Sequence, residues 1–297
     1  MVYTGRMLDY DYPLWRPPSE GENLIIQATL GCRYNHCAFC SMYKGKEYRP
    51  RPLADIFADI DAAHAEWPEA HRVFLADGDA YNLPTETLAA ICRRLADRFP
   101  NLQRVTAYAT PFNLLAKPVE EIRALKQLRL TQVYLGIETG SDRLLRIIAK
   151  GSRKQMEAAL LKAREAGLKV SATVITGLSG QDGWEDHIDA TADLINRAPV
   201  TYLSTLQLGL EDSVAAGFFR RYGQPFRWQS DQAVLVELRR LVERLDPPAA
   251  VIFRSNHASN ALALAGTLPK DKGRLLAQID QALTGETRLR PRWIRGL

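Results

Sequence analysis

The chain has 297 residues, 46% hydrophobic and 25% charged, which suits one large α/β domain or two ordinary ones and excludes disordered or collagen-like classes. Lys plus Arg exceeds Asp plus Glu by 39 − 34 = 5, a mild excess that permits an anionic partner without demanding one. No apolar run approaches the roughly 18 to 20 residues that span a bilayer, and the opening residues are acidic, aromatic and Pro-containing, so a cytoplasmic protein with no membrane partner is expected.

In chain order, residues 1–22, with Pro13, Pro17 and Pro18, predict an irregular N-terminal strap. Apolar runs at 24–28, 73–76, 105–109, 133–137, 170–175, 203–208 and 250–253 then predict seven strands. Each gap between them has room for a crossover helix. Leu53, Ile56, Phe57, Ile60 and Trp67 share one helical face, as do Leu88, Ile91, Leu95 and Phe99. Further helices are predicted at about 119–128, 154–166, 184–196 and 232–245, with Gly167 as a C-cap. The strand runs are nearly continuous in apolar residues, the pattern of parallel strands covered on both faces. The fold expected is α/β, a partial or full parallel β/α (TIM-type) barrel in a single domain. Its parts are the strap at 1–22, a core at 23–211, a helical and strand extension closing the barrel at 212–285, and a basic tail at 286–297. That tail carries Arg288, Arg290, Arg292 and Arg295.

Only four cysteines occur, and three of them, Cys32, Cys37 and Cys40, stand in a C-x4-C-x2-C spacing directly after the first predicted strand. Clustered thiols outside a disulfide framework usually hold a metal. Loops at the carboxyl ends of barrel strands are where catalytic groups converge. Three thiolates are one short of the four that a closed zinc site or a fully ligated cluster takes. Zinc with His36 as fourth ligand is one reading, although the adjacency of His36 to Cys37 makes joint chelation awkward. A [4Fe-4S] cluster with one open iron is the other. Cys92 falls in the apolar stripe of the second helix and reads as core filler.

At these residues the sequence resembles the radical S-adenosylmethionine (radical SAM) superfamily, whose commonest spacing is C-x3-C-x2-C; the first gap here is longer by one residue. The resemblance implies that Cys32, Cys37 and Cys40 ligate the cluster and that S-adenosylmethionine chelates the open iron. It further implies that one electron cleaves the sulfonium to methionine and a 5′-deoxyadenosyl radical, which takes hydrogen from a substrate. Phe39 matches the aromatic residue packed near the adenine. The stretch Asp77-Gly78-Asp79 looks like the family's Gly-Gly-Glu turn, with Asp79 in place of the Glu and Asp77 departing from the first Gly. Gly136-Ile137-Glu138-Thr139-Gly140 is similar to the Gly-x-Glu-Ser-Gly stretch, which gives Glu138 a place at the ribose or methionine end and Ser141 or Asp142 the cap of the next helix. Thr176, Gly177 and Leu178, followed by Ser179-Gly180, are close to the Gly-Leu-Pro-Gly turn beside the adenine, with Ser179 replacing the Pro. By this resemblance Glu138 and Asp79 are the catalytic candidates, and a flavodoxin or ferredoxin is the expected reductant. The layout is similar to the coproporphyrinogen oxidase-like branch, with the substrate unassigned. A cobalamin-dependent branch is not expected, since 31 residues before the first cysteine are too few for its extra domain.

For substrate, Tyr108 on the third strand and Arg254, Asn256 and His257 after the last predicted strand are candidates at the barrel mouth. A hydrogen-bond network closing the barrel is the competing reading of the latter three. His64, His71 and His187 receive no role. The alternative function is a non-catalytic iron-sulfur or zinc protein that senses redox state or binds nucleic acid. In that reading the Arg-rich tail grips phosphate, against its reading as a solvated end.

Overall fold

Helix-forming and strand-forming segments alternate in the computed structural model, which describes residue 8 and residues 10–295. The chain enters through a 3-10 turn at Pro18–Glu20 and forms β1 (Leu24–Gln27), β2 (Thr29–Leu30) and β3 (Arg49–Pro50). There follow α1 (Leu53–Glu66), β4 (Arg72–Ala76), α2 (Thr85–Arg98), β5 (Arg104–Ala109), α3 (Pro111–Ala116), α4 (Val119–Gln127) and β6 (Leu130–Glu138). Next come α5 (Asp142–Ile147), α6 (Arg153–Glu165), β7 (Lys169–Thr176), α7 (Trp184–Arg197), β8 (Tyr202–Gln207) and α8 (Asp212–Tyr222). The chain continues with α9 (Asp231–Arg244), β9 (Val251–Arg254), β10 (Ala265–Leu268) and α10 (Lys272–Leu283). All seven predicted strands form, within a few residues of the expected limits.

Contacts divide the described residues into two compact units, one drawn from Met1–Asn35, Met42–Leu135 and Lys162–Lys169, the other from His36–Ser41, Gly136–Leu161 and Val170–Leu297. In the first unit, β1, β4, β5 and the start of β6 pair in parallel, with Leu24 opposite Val73, Val73 opposite Val105 and Thr106 opposite Gln132. Ile26, Val73, Phe74, Leu75, Val105 and Val133 are buried, as expected for parallel strands with both faces covered. The strap's described part is anchored by Glu20, which is fully buried and accepts hydrogen bonds from Thr106 Oγ1 (3.1 Å), Arg104 (3.3 Å) and the Tyr134 hydroxyl. Residues 1–7 and 9 of the expected strap lie outside the described residues.

In the second unit β7, β8 and β9 are parallel, and β10 runs antiparallel to β9, with Gly266 opposite Phe253. α7 buries His187, Ile188, Thr191, Leu194 and Ile195, and α9 buries Val234, Leu235, Glu237, Leu238 and Leu241. Each helix therefore carries a polar side chain on its apolar face. The basic tail is built into this unit. Arg295 is buried and donates to Gln207 Oε1 (3.1 Å) and Asp231 Oδ2 (2.8 Å), while Arg288 and Arg292 of the same tail are exposed.

Candidate active site

In the first unit the loop that carries Cys32 is fixed at both ends by one carboxylate. Asp77, just past the end of β4, is buried and accepts the Gly31 N–H at 3.1 Å, while its own N–H donates to Thr29 Oγ1 at 3.3 Å. Lys46, near the loop's exit, reaches the same carboxylate at 3.5 Å and donates to the carbonyls of Asp11 (2.6 Å) and Pro13 (2.8 Å). Burial raises the Asp77 carboxyl above the usual range, and the Lys46 ammonium, the Tyr43 hydroxyl and the Gly31 N–H counter it. The departure from glycine at 77 thus has a local reason. Gly78 follows with no space to spare, because a Cβ there would fall inside the ring of Tyr43. Asp79 is buried beside the turn at Ala80–Asn82. Lys117 donates to the Leu83 carbonyl at 2.8 Å; burial lowers its ammonium, and Glu121 and Asp79 oppose that shift. Tyr108 packs edge-on against Phe74, with centroids 5.2 Å apart, and against Tyr134 at 6.1 Å.

The second unit holds Cys37 and Cys40. The Ala38 N–H donates to the Ile148 carbonyl at 3.0 Å, and the Cys40 N–H to the Cys37 carbonyl at 3.4 Å, so this segment hangs from the residue after α5. Ala38 lies in an apolar cluster with Leu144, Leu145, Ile148 and Ile175, and Phe39 packs against it. Glu138 ends β6 in the left-handed region, with φ 64°. Its carboxylate pairs with Lys150 Nζ at 3.1 Å, and both side chains are nearly buried. Burial works to lower the Lys150 ammonium, but the Cys37 and Cys40 thiolates and the Glu138 carboxylate outweigh it and hold the group well above the ordinary lysine range. The charged form of Lys150 is therefore favoured by Cys37, Cys40 and Glu138 together. Sequence reasoning missed Lys150, since a lone lysine after a helix carries no pattern.

The turn after β7 is held from every side. Gly177 has φ 77° and donates its N–H to Glu237 Oε1 at 2.9 Å. Thr176 Oγ1 donates to the Leu206 carbonyl at 3.2 Å, and Leu178 is buried in the same apolar cluster as Ala38. Ser179, where a proline was the family expectation, donates its hydroxyl to the Asp182 carbonyl (2.6 Å) and accepts from Arg143 (3.1 Å). A proline could do neither.

The candidates after β9 are engaged within their own loop. Arg254 donates to the carbonyl of Phe253 at 2.8 Å, and His257 Nδ1 lies 2.8 Å from Ser259 Oγ, its imidazole lowered by burial. Asn256 is exposed. The buried Asn260 bridges the Thr205 carbonyl (2.6 Å) and the Gln207 N–H (2.8 Å).

Cys32, Cys37 and Cys40 are not disulfide-bonded and are partly exposed, whereas Cys92 is buried in α2. Among the described residues no group of three or more His, Cys, Asp or Glu is already gathered in a metal-holding arrangement. By donor chemistry, cysteine thiols are the ligands an iron-sulfur group takes, and within the second unit Cys37 and Cys40 have a lysine whose charge they favour.

Strand-end loops that bring thiols, carboxylates and glycine turns to a parallel α/β scaffold define a cofactor-dependent α/β enzyme. The family model of the radical SAM superfamily matches residues 26–195, more than half of the chain, and the chain belongs to that superfamily. Members of that superfamily use a [4Fe-4S] cluster and S-adenosylmethionine and need a substrate and an electron donor. The chain is 25% identical over 268 residues to a tRNA-2-methylthio-N(6)-dimethylallyladenosine synthase of Methylococcus capsulatus, covering 85% of this chain and 53% of that protein. It is likewise 25% identical over 183 residues to an uncharacterized methyltransferase of Pyrococcus horikoshii, covering 60% of this chain and 38% of that protein. The chain thus spans about half or less of the length of these relatives. Among solved structures, Escherichia coli coproporphyrinogen III oxidase is similar with a TM-score of 0.57 at 16% identity, covering 74% of this chain and 51% of that one. Methylornithine synthase is similar with a TM-score of 0.53 at 14% identity, covering 93% and 76%. These two likenesses show the fold, the mostly parallel α/β arrangement of the superfamily's partial barrels. Among the described residues no helix is long and apolar enough to cross a membrane.

Proposed function

We propose that the chain holds a [4Fe-4S] cluster through Cys32, Cys37 and Cys40 and binds S-adenosylmethionine at the open iron, as a hydrogen-abstracting enzyme. When bound, cluster and cofactor supply a one-electron cleavage of the sulfonium to methionine and a 5′-deoxyadenosyl radical. The protein's part is binding, orientation and exclusion of water. Lys150 offsets thiolate charge at Cys37 and Cys40 and holds the Glu138 carboxylate, which is thereby presented to the polar end of the cofactor. Phe39 supplies an apolar surface for the adenine. Gly78 and Asp79 receive the methionine amino group, with Gly78 allowing close backbone approach. Thr176, Gly177 and Leu178 bind the cofactor's adenine. The reductant is a flavodoxin- or ferredoxin-like electron carrier, and Tyr108, Arg254, Asn256 and His257 are the candidates for substrate contact.

The observation that carries this reading is the Lys150–Glu138 pair at the end of β6, whose lysine charge Cys37 and Cys40 favour. Anaerobic reconstitution with iron and sulfide, followed by electron paramagnetic resonance with and without S-adenosylmethionine, tests it. The expected result is a reduced-cluster signal that changes on adding the cofactor, with methionine and 5′-deoxyadenosine released, and loss of both in Cys40→Ala. A saturated zinc site and an unchanged spectrum would overturn it. The Methylococcus relative favours a second reading for the substrate, an adenosine in tRNA. Incubation of the reconstituted enzyme with unmodified tRNA and mass analysis of its nucleosides checks that, and an unchanged nucleoside profile rejects it.

A further inference from the structure

Two of the turns assigned to the cofactor, after β6 and after β7, share one buried polar network. Its centre is His187 on α7, and its far end is Glu237 on α9; neither side chain has any exposed surface. His187 Nδ1 lies 2.7 Å from Thr139 Oγ1, and that hydroxyl oxygen also accepts the Ser141 N–H at 2.9 Å. His187 Nε2 lies 3.1 Å from the Ile175 carbonyl and 3.4 Å from Glu237 Oε1, the same oxygen that accepts the Gly177 N–H. A carbonyl oxygen can only accept, so Nε2 carries hydrogen, and in the neutral ring Nδ1 is left to accept from the Thr139 hydroxyl. Donors and acceptors then match from Ser141 through Thr139 and His187 to the Ile175 carbonyl at the end of β7, and Glu237 Oε1 lies beside His187 and takes the Gly177 N–H.

The same helix holds the first turn a second time. Thr191 Oγ1 accepts the Gly140 N–H at 2.8 Å and donates to the His187 carbonyl at 2.6 Å. Gly140 is pressed against α7 so closely that a Cβ would overlap the Ala190 carbonyl. On the second turn, Gln229 Nε2 donates to the Gly180 carbonyl at 2.8 Å and the Tyr222 hydroxyl to the Ser179 carbonyl at 2.6 Å. Both turns are thus bonded to α7 or α9, and His187 joins the first to the end of β7, from which the second follows.

A buried histidine and glutamate are a poor choice for stability alone, because apolar side chains of similar volume do as well or better in such places. Glu237 moreover keeps Oε2 without a hydrogen bond, which is costly for a buried carboxylate oxygen. What the polar pair adds is a fixed distance and direction for two backbone segments. We propose that His187 and Glu237 are positioning residues, which lock the turns at 139–141 and 177–180 into one preformed seat for the cofactor. This rests on the reading of Glu138 and Gly177 as cofactor contacts.

The test is the affinity of the reconstituted, cluster-loaded protein for S-adenosylhomocysteine, by isothermal titration, with the melting temperature followed in parallel. Glu237→Leu removes the acceptor for the Gly177 N–H, and Thr139→Val removes the hydroxyl at nearly constant volume. Each should weaken binding about tenfold or more, the loss that follows from one buried hydrogen bond. Glu237→Gln keeps an acceptor and should stay within about threefold of wild type by the same arithmetic. Variants that melt lower yet bind like wild type would show a merely structural role and overturn the proposal. If Glu237→Leu does not fold, Thr139→Val against Glu237→Gln decides it. Failure of the wild-type holoprotein to bind at all strikes the cofactor reading itself, whereas wild-type binding with unaffected variants strikes only the positioning role.

Discussion

Gly78 is held by the aromatic wall beside it, since Tyr43 is itself only 4% exposed and has no room to turn away. Gly78→Ala should therefore cost about 1–3 kcal/mol, the usual penalty for forcing a methyl group into a packed site, measured by urea denaturation; an unchanged midpoint would show that Tyr43 yields. Cys92 behaves in the opposite way to the other cysteines. Burial, opposed by Arg93, pushes its thiol up to about 12. Its folded value lies above the unfolded value of about 8.5, so its contribution to stability is complete below that pH and is lost as pH rises toward 12. In apo protein at pH 8, iodoacetamide should modify Cys32, Cys37 and Cys40 and spare Cys92 until denaturant is added; peptide mass spectrometry reads this directly. At this scale spacing is what the sequence makes legible, and it marks the three loop cysteines and the glycine turns as candidates. It was opaque for Asp77, Lys150, His187 and Glu237, whose roles depend on partners brought together by tertiary packing. His187 in particular reads as one more polar residue in an amphipathic helix until its neighbours are known.

Among the elements, the parallel strands declared themselves because burial on both faces leaves a continuous apolar run, which few other structures require. β10 did not, since Ala-Gly-Thr-Leu is short and half polar and its pairing with β9 depends on a partner distant in sequence. α8 was hidden by Gly217 and by aromatic residues at adjacent positions, which blur a helical period. The junction of β6 and α5 has the largest energetic consequence. The left-handed backbone at Glu138 aims its carboxylate at Lys150, which follows α5 by three residues. Removing one member of a buried ion pair leaves a charge uncompensated, so Lys150→Met should cost about 3–5 kcal/mol. Adding Glu138→Gln to that background should recover most of it. Because the folded value of Lys150 is raised, its contribution is fully present below the unfolded lysine value of about 10.4 and is lost only at still higher pH. The stability gap between wild type and Lys150→Met should accordingly not close between about pH 6 and 9, and a gap closing within that range would contradict the pairing.

For the molecule as a whole, a net charge of +5 and an arginine-rich end suggested a phosphate-gripping arm or a solvated tail; Arg288 and Arg292 are exposed, whereas Arg290 and Arg295 are tied into the second unit. The Arg290 N–H donates to the Ala261 carbonyl at 2.8 Å, and its guanidinium to the His257 carbonyl at 3.1 Å. The Arg295 side chain has no exposed surface and joins Gln207 at the end of β8 to Asp231 at the start of α9. Composition could not reveal this, because an arginine bound inside a protein and one in water contribute the same charge. The end of the chain thus ties together the strand and the helix that flank the Glu237 network within the second unit. Arg295→Ala should destabilise the protein by about 2 kcal/mol, the worth of hydrogen bonds to charged groups, since Asp231 retains Gln207 Nε2 at 3.3 Å and part of its contact with water. Deleting residues 286–297 should lower the melting temperature further than Arg295→Ala. A tail that served nucleic acid would give the reverse pattern, a melting temperature equal to wild type and an RNA affinity that falls with each arginine removed. Differential scanning calorimetry and a salt titration of RNA binding on the same two variants separate these outcomes, because surface phosphate contacts steepen the salt dependence and buried arginines do not.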